Sequence, residues 1–255
     1  MALAYQTALT IESVIKDIDS KKYLLPSIQR EFVWSTGQIE KLFDSLMRDY
    51  PINAFLFWKV PREKVSEFKF YEFLRDYHQK DNKHNPKANT NGTEDIIAIL
   101  DGQQRMTSLY IALKGTYAYK MSYKRWDNPA AYPKRKLYLN LLAASDDADM
   151  FYDFLFLTEE EAKNIKNDND EYEGSFWFPV GKILDFREES DVNDYLIDND
   201  LNTVADKAQA KFANKALFKL YSIIHNKQTI SYYLEESTEL DKVCLLYTSD
   251  AADDL

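Results

Sequence analysis

Ile96-Ile97-Ala98-Ile99-Leu100-Asp101-Gly102-Gln103-Gln104-Arg105-Met106-Thr107-Ser108-Leu109-Tyr110 is the stretch that decides the fold. Five apolar residues predict a buried strand over Ile96 to Leu100. A short polar loop follows at once, and the apolar spacing from Met106 to Lys114 predicts a helix. A strand that delivers a polar loop onto a helix start places free backbone N–H groups and the positive end of the helix dipole beside that loop, which favours an anion. Gly102 permits close backbone approach or a positive φ. Arg105 can fork two hydrogen bonds onto phosphate oxygens, and Gln103 and Gln104 can position a base, a ribose or a water. Asp101 is placed to hold a metal such as Mg²⁺ or to orient an attacking water, and Thr107 or Ser108 to add a hydroxyl. A plainer reading has Asp101 as the helix N-cap, with Gln104 three residues on, and Arg105 in a surface ion pair.

Working outward, Thr10 is expected to cap a helix reaching about Asp19, with Ile11, Val14, Ile15 and Ile18 on one face. Tyr23 to Leu25 reads as extended. Ser35 and Gln38 have the spacing of a capping box, and Ile39, Leu42, Phe43, Leu46 and Met47 form the apolar stripe of a second helix. Ala54 to Val60 is a continuous apolar and aromatic run, expected to be a strand covered on both faces. Residues 78 to 95 are polar, are punctuated by Pro86 and Gly92, and read as a surface loop. Leu137 to Leu142, Phe151 to Leu157, Phe176 to Val180 and Ile230 to Leu234 are expected strands, and Val204 to His225 an expected long helix. The class expected from this order is α+β, with a core over about 8–157 and a more helical part over about 158–243.

Composition bounds the function. Hydrophobic residues make up 45% and charged residues 29% of the 255, which fits a globular chain with a sizeable core. No apolar run suits a membrane span and the start lacks the pattern of a secretory signal, so a cytoplasmic location is expected. One cysteine, Cys244, excludes an internal disulfide and a thiolate cluster. His78, His84 and His225 lack zinc-ligand spacing, so any metal is expected to be held by oxygen. A formal charge of −10 argues against nonspecific coating of nucleic acid, although Lys120, Lys124, Arg125, Lys134, Arg135 and Lys136, interleaved with Tyr119, Tyr123, Trp126 and Tyr132, form one local basic and aromatic patch. That patch reads either as a nucleic-acid surface or as a solvated loop beside a strand. The last twelve residues, 244–255, look like a translated sequencing adapter and are set aside as an expected scar. The natural frame is expected to continue past Val243.

A second constellation, Leu25-Pro26-Ser27-Ile28-Gln29-Arg30-Glu31-Phe32-Val33-Trp34, sets Gln29 and Arg30 between an extended piece and a capped helix. Either Arg30 faces the same anion as Arg105, or it is a surface ion pair beside a packed apolar cluster. Leu25 to Trp34, Ile39 to Leu46, Tyr50-Pro51-Ile52, Trp58-Lys59-Val60 and Ile99 to Tyr110, in that order, resemble the N-terminal domain family of GmrSD-type restriction endonucleases. Tyr138 to Leu141, Trp177 to Val180 and Ile230 to Tyr233 extend the resemblance over most of residues 8–243. The resemblance implies a ParB/sulfiredoxin-like core with a small mixed sheet, and a site for a nucleoside triphosphate, GTP or ATP, with Mg²⁺. Its residues would be Gln29, Arg30, Asp101, Gly102, Gln103, Gln104 and Arg105. It further implies that hydrolysis is coupled to restriction of modified DNA, with an HNH-type nuclease domain or partner subunit following in complete members. A family motif with an Asn and a Gly-Gly turn is expected after Val243 and is absent here. Two rivals stand beside hydrolysis: a nucleotide switch or DNA-phosphate binder without turnover, and a phosphodiesterase acting directly on DNA. The last lacks a visible metal cluster.

Overall fold

A computed structural model of the chain describes residues 4–27, 31–90, 95–164, 175–204 and 206–237. In chain order its strands and helices are β1 (Ala4–Tyr5), β2 (Leu9–Thr10), α1 (Ile11–Asp19), β3 (Tyr23–Pro26), α2 (Thr36–Met47), β4 (Phe55–Val60), β5 (Phe70–Tyr71), β6 (Asp76–His78), β7 (Ile96–Asp101) and α3 (Gln103–Lys114). There follow β8 (Thr116–Ala118), β9 (Lys136–Ala144), β10 (Tyr152–Leu157), α4 (Glu159–Asn164), β11 (Trp177–Pro179), α5 (Glu189–Asp198), α6 (Lys207–Tyr221), β12 (Gln228–Ile230) and β13 (Tyr232–Glu235). The α+β class holds. Among the described residues no helix is long and apolar enough to cross a membrane.

The main sheet is mixed and six-stranded, in the order β1-β13-β4-β7-β3-β5. β13 runs parallel to β4, β4 antiparallel to β7, and β7 parallel to β3. Successive side chains of a strand point to opposite faces, and here each face has its own core. Leu24, Leu56, Trp58, Val60, Ile96, Ala98 and Leu100 join one cluster with Val65 and Phe70. Their neighbours Tyr23, Leu25, Phe55, Phe57 and Ile99 belong to the larger cluster, with α1, α2, α3 and α6. This double burial is why 55–60 is an unbroken apolar run. A three-stranded antiparallel sheet, β10-β9-β11, packs into the larger cluster, and two short pairs, β12-β2 and β6-β8, complete the strands.

The first two helices form as their sequences dictate. Thr10 Oγ1 accepts from the Ser13 N–H at 3.2 Å and the expected four residues of α1 are buried. Ser35 and Gln38 make the reciprocal capping box on α2. Other expectations need correction. The helix expected from Met106 starts at Gln103, because Gly102 turns the chain directly out of β7. Its N-cap is therefore Gly102, with no side-chain cap, and not Asp101. The long helix expected over Val204 to His225 begins at Lys207, after Asp206 caps it, and ends at Tyr221 in a π-turn over Ser222–Asn226. The strand expected over Ile230 to Leu234 is two, β12 and β13, which pair in different sheets. The part after about residue 158, expected to be more helical, holds α4, α5 and α6 and also contributes β11 to one sheet and β13, between β1 and β4, to another. The loop expected over 78–95 starts inside β6 and is pinned by bridges at His78–Asn82 and Tyr71–Lys87. Residues 91–94 lie outside the described ones.

Two carboxylates of α2 dock it on β10. Asp44, 2% exposed, accepts from the N–H groups of Phe151 at 2.9 Å and Tyr152 at 2.8 Å while pairing with Arg48 at 3.2 Å. Glu40 accepts from the Phe156 N–H at 3.0 Å. Burial, against the pull of that N–H and with a further push from Asp153, brings the Glu40 carboxyl up to about 7. A carboxyl raised on folding favours the fold when protonated, so its contribution is complete below the ordinary value of 4.5 and is lost as pH rises through about 7. Glu40→Gln keeps the acceptor for Phe156 and removes the charge. Urea unfolding of this variant should match the parent at low pH and exceed it in stability above about pH 7; parallel stability curves across that window would refute this assignment.

Candidate functional site

The site expected from the sequence is an elbow between β7 and α3. Asp101 pairs with Leu56 at the end of the β7–β4 ladder, where the register shifts between Leu56 and Phe57. Gly102 follows at φ +82° and ψ 14°, in the left-handed region. A Cβ at this position would overlap the Phe55 ring and lie 3.2 Å from Arg105 Nη2, so both conformation and space require glycine. The first turn of α3 has no acidic residue and no side-chain cap, which leaves the positive end of its dipole without a compensating side chain of its own.

Arg105 stands one turn into α3 with its guanidinium 4.6 Å from the centre of the Phe55 ring. It donates to the carbonyls of Ile52 and Ala54, the latter at 3.3 Å, and to Asp101 Oδ2 at 3.3 Å. Its side chain is 17% exposed and that of Asp101 is 37% exposed, so the carboxylate is the more open member of the pair. The arginine thus fixes Asp101 and locks the turn at 52–54, where Asn53 has φ +60°.

Gln104 reaches the other way. Its Nε2 donates to the Glu31 carbonyl at 3.0 Å and its Oε1 accepts from the Val33 N–H at 3.1 Å, so one amide holds the chain at both points. Gln29 and Arg30 lie outside the described residues, but Glu31, the next in sequence, is anchored to the first turn of α3 by this contact. Gln103 is buried and its Nε2 donates to the carbonyls of Ile99 at 3.0 Å and Leu100 at 3.2 Å, closing the strand end. Thr107 and Ser108 are 3% and 0% exposed, inside the protein. The elbow therefore brings Asp101, Gly102, Gln104 and Arg105 together, with Gly102 buried and the other three partly exposed, while Gln103, Thr107 and Ser108 face inward.

Sequence reading missed the partners: the carbonyls of Ile52, Ala54 and Glu31 and the N–H of Val33, which any residue supplies. Phe55 alone carries a signal, an aromatic ring at the start of a strand. A cavity of about 530 Å³ is lined by Arg62, Val65, Phe68, Lys69 and Lys87 among others, and none of the expected site residues among the described ones lines it. Among the described residues no three or more His, Cys, Asp or Glu side chains converge as a metal cluster.

The model of the GmrSD restriction endonuclease N-terminal domain matches residues 11–249, and the chain belongs to that family, which places it with restriction and defence proteins. The uncharacterized protein MJ0686 of Methanocaldococcus jannaschii is 33% identical over 113 residues. The match covers 44% of this chain and 18% of that relative, so the chain aligns with less than a fifth of it.

Gly102→Ala tests the elbow. Placing alanine at positive φ costs about 1–3 kcal/mol, and displacing the Phe55 ring adds about 1–3 kcal/mol. Chemical denaturation should show a loss in that combined range; a variant as stable as the parent would contradict the geometry described.

Proposed function

We propose that this domain binds a nucleoside triphosphate, GTP or ATP, at the β7–α3 elbow and hydrolyses it in the service of restricting modified DNA. The observation that carries this reading is the pairing of an uncapped helix start with a half-exposed Asp101 held in place by Arg105. Phosphate oxygens are favoured at such a helix start, and a fixed guanidinium stabilises charge that develops on them without reorganising. Asp101 is the residue to orient the attacking water. Gln104, through its hold on Glu31, keeps the segment after Gln29 and Arg30 against the same helix turn, and those two residues are assigned to the ligand on the family resemblance. Mg²⁺ suits one carboxylate together with phosphate oxygens and water, and Asp101 is the residue that would hold it. When bound, the ion neutralises phosphate charge. The family resemblance also supports a ParB/sulfiredoxin-like core, a DNA substrate, an HNH-type nuclease in the same protein or a partner, and a cytoplasmic setting.

One observation favours a second reading. The donors of Arg105 serve the carbonyls of Ile52 and Ala54 as well as Asp101, which suits a site that binds nucleotide or a DNA phosphate as a switch without turnover.

Phosphate release from GTP and from ATP, measured with and without modified DNA beside direct nucleotide binding, separates the two. Under the first reading Asp101→Asn binds nucleotide and releases phosphate about a hundredfold more slowly or worse, and Arg105→Ala loses both. Nucleotide bound by the parent with no release under any condition would remove the enzyme and leave the switch; no nucleotide binding at all would remove the enzyme and the nucleotide switch, and no binding of DNA either would remove the second reading whole.

A further inference from the structure

The connection from β8 to β9, residues 119–135, is a stiff flap. Its base is closed by paired backbone bonds between Tyr117 and Arg135, at 2.8 and 3.1 Å, and higher up by the Met121 N–H on the Ala131 carbonyl at 2.8 Å. Ala118, Ala131 and Tyr132 form a small core of its own, and the Tyr132 hydroxyl donates to the Trp126 carbonyl at 3.2 Å. Lys120 holds the tip from beneath. Its ammonium donates to the carbonyls of Met121 at 3.2 Å and Lys124 at 2.8 Å and lies 5.7 Å from the centre of the Trp126 ring. Arg135 is 5% exposed, stacked on Tyr119 at 4.2 Å and 3.7 Å from Glu161, so it braces the base.

What this framework presents is unusual for a surface. Tyr123 is 106% exposed and held at φ +63°, and Trp126 is 56% exposed. Large rings left in water on a braced loop mark a binding surface rather than a core. Lys124, Arg125, Lys134 and Lys136 are all exposed around them. Among the described residues Lys124, Lys134 and Lys136 make no salt bridge, and Arg125 meets only Asp127, an exposed neighbour and the one acid between Tyr119 and Lys136. Near the flap's base Asp81 faces Tyr132 and Glu159 faces Lys136, so of these acids only Asp127 sits at the tip, where Lys120, Lys124 and Arg125 outnumber it. On a chain of formal charge −10, a cationic tip with two exposed rings, Trp126 braced by Lys120 and Tyr132, selects a polyanion that carries flat, apolar faces.

We infer that this flap is a nucleic-acid surface on which Tyr123 and Trp126 stack unpaired bases while Lys124, Arg125 and Lys134 meet the phosphates. Bases inside a duplex hide their faces, so the ligand is a single-stranded or locally opened strand. This site is separate from the elbow.

The test uses the whole chain without nucleotide, so its outcome is independent of phosphate release. Fluorescence anisotropy with a labelled oligothymidylate of roughly 16 nucleotides measures affinity, and tryptophan emission reports the exposed Trp126. Tyr123→Ala/Trp126→Ala should weaken binding about tenfold or more per ring, whereas Trp126→Phe keeps most of it but loses the quenching. Lys124→Glu/Arg125→Glu should flatten the salt dependence by about 0.7 in log–log slope per lost phosphate contact. A thermal melt checks that each variant folds, and Trp126→Phe with the charge reversal decides the matter if the double alanine variant does not. An abasic strand bound as tightly as oligothymidylate, polyglutamate that quenches Trp126 as well as DNA does, or no binding at all would each overturn the inference.

Discussion

The guanidinium of Arg105 is the interaction on which the rest turns. It spans three pieces of chain that are distant in sequence or differ in geometry: the end of β7 through Asp101, the turn before β4 through Ile52 and Ala54, and the ring of Phe55 below. A planar fork with several donors suits this task in a way a lysine cannot, because the acceptors lie in different directions around one plane. Gly102 makes room for it. The helix beginning next to that glycine then uses Gln104 to hold the chain at Glu31 and Val33, so two consecutive side chains of α3 organise both approaches to the elbow.

This arrangement rests on a sheet with a core on each face. Because 55–60 and 96–101 alternate between two apolar clusters, neither strand can slip by one residue without exchanging every side chain between unlike surroundings. The register that places Asp101 opposite Leu56 is therefore fixed by packing far from the site. Chemistry at the elbow inherits its precision from that constraint.

What was legible in the sequence follows from how local each cause is. Thr10 and Ser35 cap helices through atoms three residues away, and the apolar spacing of α1 and α2 is visible within one segment. β4 and β7 could be read from their continuous hydrophobicity. The start of α3 could not, since its cap is a backbone conformation of Gly102 and no side chain marks it. Two- and three-residue strands such as β5, β6 and β8 exist only through partners elsewhere in the chain. For the elbow, the residue types Asp101, Gly102, Gln104 and Arg105 stood out, yet their partners are mostly backbone groups that leave no trace in composition. Gln103, Thr107 and Ser108 read as polar and are buried, a distinction that needs the packing of α3 to see.

β13 bears on how the molecule comes into being. It lies between β1 and β4, so one side of the main sheet is completed by residues 232–235, which leave the ribosome after the sheet's other strands. Until they arrive, β4 offers an unpaired edge rich in Phe and Trp, the kind of edge that recruits foreign strands. The sheet therefore closes only after β3, β4, β5 and β7 have all emerged, when β13 follows them.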